Sequence, residues 1–209
     1  KLQFKSLQSQ INPHFLSNPL NTLKWLASIQ NAKNIEELAS ALIDIINQAM
    51  GKGGEWTSID KEINVLKSYI TVQSYRYFDK FRVIFEVEDD ILKYSIPKFL
   101  IQPILENAII HGTMDIDHLL TIIVKGFMGK DDVITLSIMD DGCGIDQQKL
   151  ETILCNLDNR CKNPAFNSIG LSNVNERIKL FYGDSYGLTV NSIKNVFTKV
   201  EIFFPKKIN

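Results

Sequence analysis

The 209-residue chain has few cysteines, no long apolar run and almost no net charge. Its three cysteines, Cys143, Cys155 and Cys161, show no CxxC spacing and cannot all pair internally. That argues against a disulfide-rich secreted scaffold and predicts a reducing compartment. No apolar stretch approaches the roughly 18 residues of a membrane-spanning helix. The 23 Lys and Arg balance 24 Asp and Glu, so charge predicts no nucleic-acid partner.

The rest of the composition is that of a globular protein, with 44% apolar and 22% charged residues. This is enough apolar material for one sizeable core or two small ones. The sequence opens on Lys1 and enters a helical pattern at once. We therefore expect a fragment of a longer protein, in which targeting or anchoring segments are missing.

Residues 1–50 have the periodicity of two amphipathic helices joined by a polar turn at 31–34. One helical hairpin cannot bury two apolar stripes, so we expect a dimeric four-helix bundle. Gly51, Gly53 and Gly54 then break the pattern. We accordingly predict a helical domain over 1–54 and a second domain over 55–209.

The second domain mixes helical and strand periodicities, which predicts an α+β sandwich with one mixed sheet and helices on one face. Pro97 suits the first turn of a helix that would run to about His111. The other predicted elements, in chain order, are a helix capped by Thr57 or Ser58, a strand over 81–88, strands near 119–127 and 132–140, a helix near 146–154, a loop over 155–168, a helix from Gly170, and strands near 186–192 and 196–204.

The first motif with chemical content is QINPHFLSNPL, in which His14 and Asn18 share one helical face. A neutral imidazole is a competent nucleophile at pH 7 and can carry a phosphoryl group. A polar residue filling a bundle interface is the alternative. The prolines on either side of His14 are costly in a helix and favour a local function.

The second motif is IQPILENAIIHG, whose apolar residues give a helix a core side and leave Glu106, Asn107 and His111 outward or in a cleft. An amide oxygen is a suitable ligand for Mg²⁺ held mainly by phosphates. The alternative is an ordinary amphipathic helix.

The third motif, DDGCGI, follows a predicted strand directly. A carboxylate at a strand end, followed by Gly142 and Gly144, allows a flat ligand to approach the backbone while the carboxylate accepts an amine hydrogen. A tight turn is the alternative. In the fourth motif, SIGLSN, amides at a helix start could cradle phosphate.

Together and in this order, the four motifs closely resemble the kinase core of sensor histidine kinases, specifically the LytS/YesM-like subfamily. Gln10 to Asn21 resemble that family's phosphoacceptor box, LIQPILENAIIHG its N box, and DDGCGI and SIGLSNVNERIKLFYG its two glycine boxes. The resemblance implies a GHKL-type (Bergerat) ATP-binding fold from about residue 55. It also implies an ATP-dependent kinase that phosphorylates His14 and passes the phosphoryl group to an aspartate of a response regulator.

The resemblance also assigns residues to roles. Asn107 would hold Mg²⁺ against the phosphates of ATP, Asp140 would bind the adenine amine, and residues 146–168 would form a lid over the nucleotide. The expected nucleotide-binding set is Asn107, His111, Asp140, Gly142, Gly144, Ile145, Ser168, Gly170 and Leu171. We expect Glu106 to orient or deprotonate His14, and Asn18 to support dephosphorylation of the regulator. The family further implies a bacterial homodimer, the cytoplasmic part of a membrane-anchored protein.

Some positions depart from the family pattern. Ile110 stands where a basic residue is usual, Ser168 where glycine is usual, and Phe197 precedes Thr198 where Gly-Thr is usual. Ser17 and Pro19 make the region around Asn18 similar to the commoner histidine kinases. Two alternatives therefore stay open: a degenerate nucleotide-binding module that dimerises with little kinase activity, and an anti-sigma type serine kinase, which the hairpin bearing His14 disfavours.

Overall fold

A computed structural model describes residues 13–50, 54–114, 116–157 and 169–207. Its elements are α1 Pro13–Ile29, α2 Lys33–Met50, β1 Trp56–Ser58, α3 Ile59–Tyr77, β2 Phe81–Val87, β3 Ser95–Pro97, α4 Gln102–Gly112, β4 Leu120–Met128, β5 Val133–Asp140, α5 Gln147–Leu157, α6 Ile169–Tyr182, β6 Gly187–Ile193 and β7 Phe197–Pro205. Short 3-10 turns cover Asp89–Ile91 and Lys130–Asp132.

The described residues divide into two compact units. One holds those up to Glu55 together with Ile63–Arg76, and the other holds Trp56–Glu62 and those from Tyr77 onward. The long helix α3 thus contributes to both. The boundary that we predicted after residue 54 stays a prediction.

The first unit contains the predicted helical hairpin, α1 and α2. Asn31 adopts the left-handed conformation between them, with φ of 55°, which lets the chain reverse. Two hydrogen bonds join α3 to α2: Ser68 donates to Asp44 at 3.2 Å, and Tyr75 donates to Glu37 at 3.0 Å. The predicted helical residues 1–12 lie outside the described part of the chain.

The second unit is built on a mixed five-stranded sheet of order β2-β4-β5-β7-β6. Only β2 and β4 are parallel, and the chain connects them through β3 and α4. Alternate residues of β4 are buried, as the pleat of a strand with one covered face requires. Helices α4, α5 and α6 contact this sheet. The predicted α+β class with one mixed sheet of this kind is confirmed.

Two details of the second unit differ from the sequence-based expectation. The helix predicted to start at Pro97 starts at Gln102 instead, because Pro97 pairs with Trp56 in a second, two-stranded sheet of β1 and β3. Pro103, not Pro97, occupies the first turn of α4. In addition Cys155 is disulfide-bonded, whereas Cys143 is a free thiol.

Among the described residues, no helix has the length and apolar character needed to span a membrane.

Candidate functional site

The carboxylate of Asp140 lies at the end of β5 and is 5% exposed. Its Oδ1 accepts the N–H of Gly142 at 3.1 Å, which folds the chain back over the strand end. A Cβ placed on Gly142 would lie 2.5 Å from the Cα of Gly112, at the C-terminal end of α4. Glycine is therefore required where this loop meets α4, and the carboxylate lies at the same point.

Gly144 has φ of +62°, and a Cβ there would overlap the carbonyl oxygen of Ile193 in β6. The turn between β6 and β7 supports the loop from that side. Ile145 N–H donates to Oγ of Ser192 at 2.8 Å, and Asn195 N–H donates to the carbonyl of Cys143 at 2.7 Å. The first glycine box is thus held between α4 and this hairpin.

Asn107 is half-buried on α4 and faces the start of α6. A Cβ added to Gly170 would lie 3.3 Å from Nδ2 of Asn107, so the second glycine box begins against the side-chain amide. Leu171 is buried beside it, at 7% exposure. Glu106 and Ile110 are half-buried on α4.

His111 is exposed in the last turn of α4, and its carbonyl accepts the thiol of Cys143 at 3.3 Å. Partial loss of solvent around the ring, and then the positive charge of Lys149 on α5, lower the pKa of His111. Both effects favour the neutral form of the imidazole.

Burial raises the pKa of Asp140 from 3.8 to about 6, the N–H of Gly142 opposes this rise, and the negative charge of Asp141 adds to it. Asp141 is itself fixed, since its Oδ1 accepts the N–H of Thr121 at 2.7 Å. A desolvated carboxylate at the end of a strand is suited to accept a hydrogen from an N–H donor such as an exocyclic amine.

The remaining predicted residues lie elsewhere. His14 belongs to α1 in the first unit, and Asn18 is exposed one turn further along the same helix. Ser168, and the part of the predicted lid from residue 158, lie outside the described residues. The structure therefore brings together Asn107, His111, Asp140, Gly142, Gly144, Ile145, Gly170 and Leu171 in the second unit.

Sequence reasoning missed three supports of this site: Gly112, Ser192 and Glu62. Gly112 follows His111 in the N box, so the close approach of Gly142 could have been suspected. Ser192 and Glu62 are 47 and 39 residues away from their respective backbone partners Ile145 and Ile101, and no local pattern indicates such contacts.

The described part of the chain contains no group of three His, Cys, Asp or Glu side chains placed to hold a metal ion. The glycine cradle, the buried carboxylate at the end of β5 and the asparagine facing α6 are the features of a nucleotide-binding α/β sandwich of the GHKL class.

Known proteins agree with that class. Residues 94–208 match the family model described as histidine kinase-, DNA gyrase B- and HSP90-like ATPase, and residues 2–81 match the histidine kinase model. The chain belongs to the histidine kinase-, DNA gyrase B- and HSP90-like ATPase family, and its resemblance to LytS/YesM-like sensor histidine kinases is confirmed.

Three relatives show the extent of the match. Sensor histidine kinase YesM of Bacillus subtilis (strain 168) is 29% identical over 97% of this chain and 33% of its own length. Sensor histidine kinase YpdA of Escherichia coli (strain K12) is 33% identical over 99% of this chain and 35% of its own length. Sensor histidine kinase/phosphatase LytS of Staphylococcus aureus (strain MRSA252) is 28% identical over 91% of this chain and 32% of its own length. The chain thus spans about a third of the length of these curated relatives.

Solved structures support the fold alone. The catalytic domain of histidine kinase ThkA is 14% identical, with a TM-score of 0.52 over 73% of this chain and 97% of that one. The histidine kinase domain of a blue-light-activated kinase from Erythrobacter litoralis EL346 is 15% identical, with a TM-score of 0.50 over 97% of this chain and 93% of that one.

Proposed function

We propose that this chain is the ATP-dependent protein-histidine kinase core of a two-component signalling protein. It would phosphorylate itself on His14 and pass the phosphoryl group to an aspartate in the receiver domain of a response regulator. The observation that carries the proposal is the meeting of Asp140, Gly142 and Gly112, where the loop after β5 packs so closely on α4 that no side chain fits and a desolvated carboxylate lies at the junction. Membership of the ATPase family supports the same conclusion.

In this proposal Asp140 accepts a hydrogen from the adenine amine. Gly142 and Gly144 let the loop pack against the backbones of Gly112 and Ile193, which holds the carboxylate in place. Asn107 and the start of α6 at Gly170 face the phosphates. The half-buried amide of Asn107 is a fitting oxygen ligand for Mg²⁺ that is held mainly by phosphate oxygens. The bound ion would neutralise phosphate charge.

In the phosphoryl transfer, an imidazole nitrogen of His14 would attack the γ-phosphorus, so that an N–P bond forms while the bond to the oxygen of the departing ADP breaks. Glu106 is the proposed group that orients or deprotonates the imidazole, since Phe15 stands where an acidic neighbour would otherwise follow His14. The second transfer, to the regulator, regenerates the free histidine.

The proposed partners are a second copy of the chain and the receiver domain of a response regulator. We also propose that this core is the cytoplasmic portion of a bacterial membrane protein, with its sensor and anchor in sequence beyond this chain.

The test is incubation with γ-labelled ATP followed by acid, because phosphohistidine is acid-labile. His14→Gln should abolish the label and leave ATP affinity unchanged, while Asp140→Ala should lose ATP binding first. Acid-labile label on the His14 variant would refute the phosphoacceptor assignment.

A further inference from the structure

The first turn of α3 carries a buried carboxylate that is not among the residues expected to bind the nucleotide. Glu62 is 1% exposed, and Asp140 is the only other buried acidic residue in the described chain. One carboxylate oxygen of Glu62 accepts the N–H of Phe99 at 3.0 Å, and the other accepts the N–H of Ile101 at 3.2 Å.

Those two N–H groups belong to the segment Lys98–Ile101, which leads directly into α4. Phe99 holds φ of 55°, a left-handed conformation that a residue with a Cβ adopts only when its surroundings impose it. The N-cap of α4, Ile101, has no side-chain hydrogen bond of its own to cap the helix. The carboxylate of Glu62 therefore holds the backbone of the two residues that lead into the first turn of α4.

Arg177 of α6 holds the opposite polar side of the same segment. Its guanidinium donates to the carbonyl of Lys98 at 2.8 Å and to the carbonyl of Phe99 at 3.3 Å. The Glu62 carboxylate accepts hydrogen bonds from the backbone N–H groups of the segment, and the Arg177 guanidinium donates hydrogen bonds to its carbonyl oxygens. The segment is thus fixed between α3 and α6.

This arrangement is not explained by stability alone. Burial raises the pKa of Glu62, and the hydrogen bonds from Phe99, Ile101 and Leu100 and then the charge of Arg177 only oppose that effect. A buried charge of this kind is often no better for stability than an apolar residue of similar volume. Its geometric effect is specific, however, because it sets where α4 begins.

We propose that Glu62 and Arg177 are positioning residues for α4, which set the place of Asn107 at the phosphate side of the nucleotide site. The proposal rests on the proposed function. Asp140 and the first glycine box lie at the other end of α4 and are held by β5 and the β6–β7 hairpin. Loss of Glu62 should therefore disturb phosphate binding more than adenine binding.

The first test needs no nucleotide. In the ¹⁵N spectrum of the whole chain, the side-chain amide signal of Asn107 is assigned by its disappearance in Asn107→Ala. Glu62→Gln should shift or broaden that signal, because glutamine has one acceptor oxygen where two are used. Asp60→Asn is the matched control, since Asp60 is exposed in the same helical turn. An unchanged Asn107 signal in folded Glu62→Gln overturns the proposal.

The second test compares two ligands at a temperature well below the unfolding midpoint of each variant. Glu62→Gln should weaken Mg-ATP binding about tenfold and change adenosine binding by less than about twofold. Equal weakening of both ligands, or no change in either, overturns the proposal. If the wild-type chain bound no nucleotide, the proposed function would fail, and the Asn107 signal would still decide the positioning role.

Should Glu62→Gln not fold, Arg177→Lys serves both tests. Lysine keeps the positive charge but cannot donate to two carbonyl oxygens in the fork geometry of a guanidinium. It should therefore reproduce the Asn107 shift and the selective loss of Mg-ATP affinity. Wild-type behaviour of folded Arg177→Lys in both measurements overturns the proposal.

Discussion

Asp140 is a carboxylate kept out of water, and in the described part of the chain no positive charge lowers its pKa. Its hydrogen bond from Gly142 does not offset the burial, so its pKa stands at about 6 in the folded chain against 3.8 in an unfolded one. The folded state therefore binds the proton more tightly than the unfolded state does. Under the proposed function, the adenine amine would supply a further hydrogen-bond donor to this carboxylate.

The apoprotein should consequently lose stability as pH rises from about 4 through about 6. The stabilisation is complete below the unfolded pKa and is lost through the folded pKa, with a total of up to about 3 kcal/mol at about 1.4 kcal/mol per pKa unit. Asp140→Asn should remove this pH dependence and raise the free energy of unfolding at pH 7.5, while abolishing ATP binding. Urea unfolding at several pH values measures it.

A neighbouring carboxylate offers a graded control. The charge of Asp141 helps raise the pKa of Asp140, so Asp141→Asn should move the midpoint of the pH dependence downward without removing it. Asparagine can keep the hydrogen bond to Thr121 through its own Oδ1. An identical pH profile for wild type and Asp140→Asn would show that another group is responsible.

Glu106 differs from Asp140 because it is only half-buried. If Glu106 orients or deprotonates His14, Glu106→Gln should slow autophosphorylation by about 10²-fold or more with ATP affinity preserved. Glu176→Gln, an exposed glutamate on α6, is the matched control. A normal rate with normal affinity would make Glu106 an ordinary surface residue of α4.

Among the elements, those with a strong period were predicted well from sequence, and the start of α4 was not. The strands predicted near 119–127 and 132–140 are observed within one residue as β4 and β5. Apolar and polar residues alternate along strands that have one buried face, and this pattern can be recognised in the sequence. Pro97 misled because proline suits both a helix start and a strand end. Its place was decided by pairing with Trp56, which is 41 residues away.

In the candidate site, too, a local motif could be predicted from sequence, whereas contacts between distant residues could not. Asp140, Gly142 and Gly144 form one local motif, and their chemistry could be proposed from residue type and spacing. Their supports could not, because Ser192 and Glu62 act across the fold on backbone groups that any residue has. Resemblance to a family identifies the residues of the motif, whereas only the three-dimensional structure identifies the residues that support it.

The turn of α1 that contains Asn18 has a feature of its own, since Pro19 lies inside the helix. Asn18 is exposed and its carbonyl accepts Oγ1 of Thr22 at 3.1 Å. An exposed amide one turn past His14 can hold a water molecule without acting as a base. Asn18→Ala should therefore lower dephosphorylation of the cognate regulator and spare autophosphorylation.

The two activities must be scored separately. A parallel loss of both would mean that Asn18 shapes the helix, and no change in either would mean that it has no role. Asn21→Ala, another asparagine on α1, is the matched control and should leave both rates as in the wild type.

Among the described residues, the two helices of the first unit expose a group of large apolar side chains. Although α1 and α2 contact one another extensively, large side chains on them stay exposed: Leu16 at 39%, Leu23 at 44%, Trp25 at 63%, Leu26 at 44%, Ile29 at 59% and Ile35 at 41%. Contiguous apolar surface of this kind marks an interaction face. A second copy of the hairpin would cover it as a four-helix bundle.

The chain should therefore be a homodimer in solution, with a mass of twice 23.8 kDa by light scattering. Leu16→Glu combined with Leu23→Glu should shift it to monomer, because two carboxylates per copy would be buried without partners in the bundle. Leu180→Glu is the control: Leu180 is 78% exposed on α6 of the other unit, and its variant should stay dimeric. A wild-type mass of one chain at every concentration would contradict the prediction. Dissociation by Leu180→Glu alone would move the interface to the ATP-binding unit.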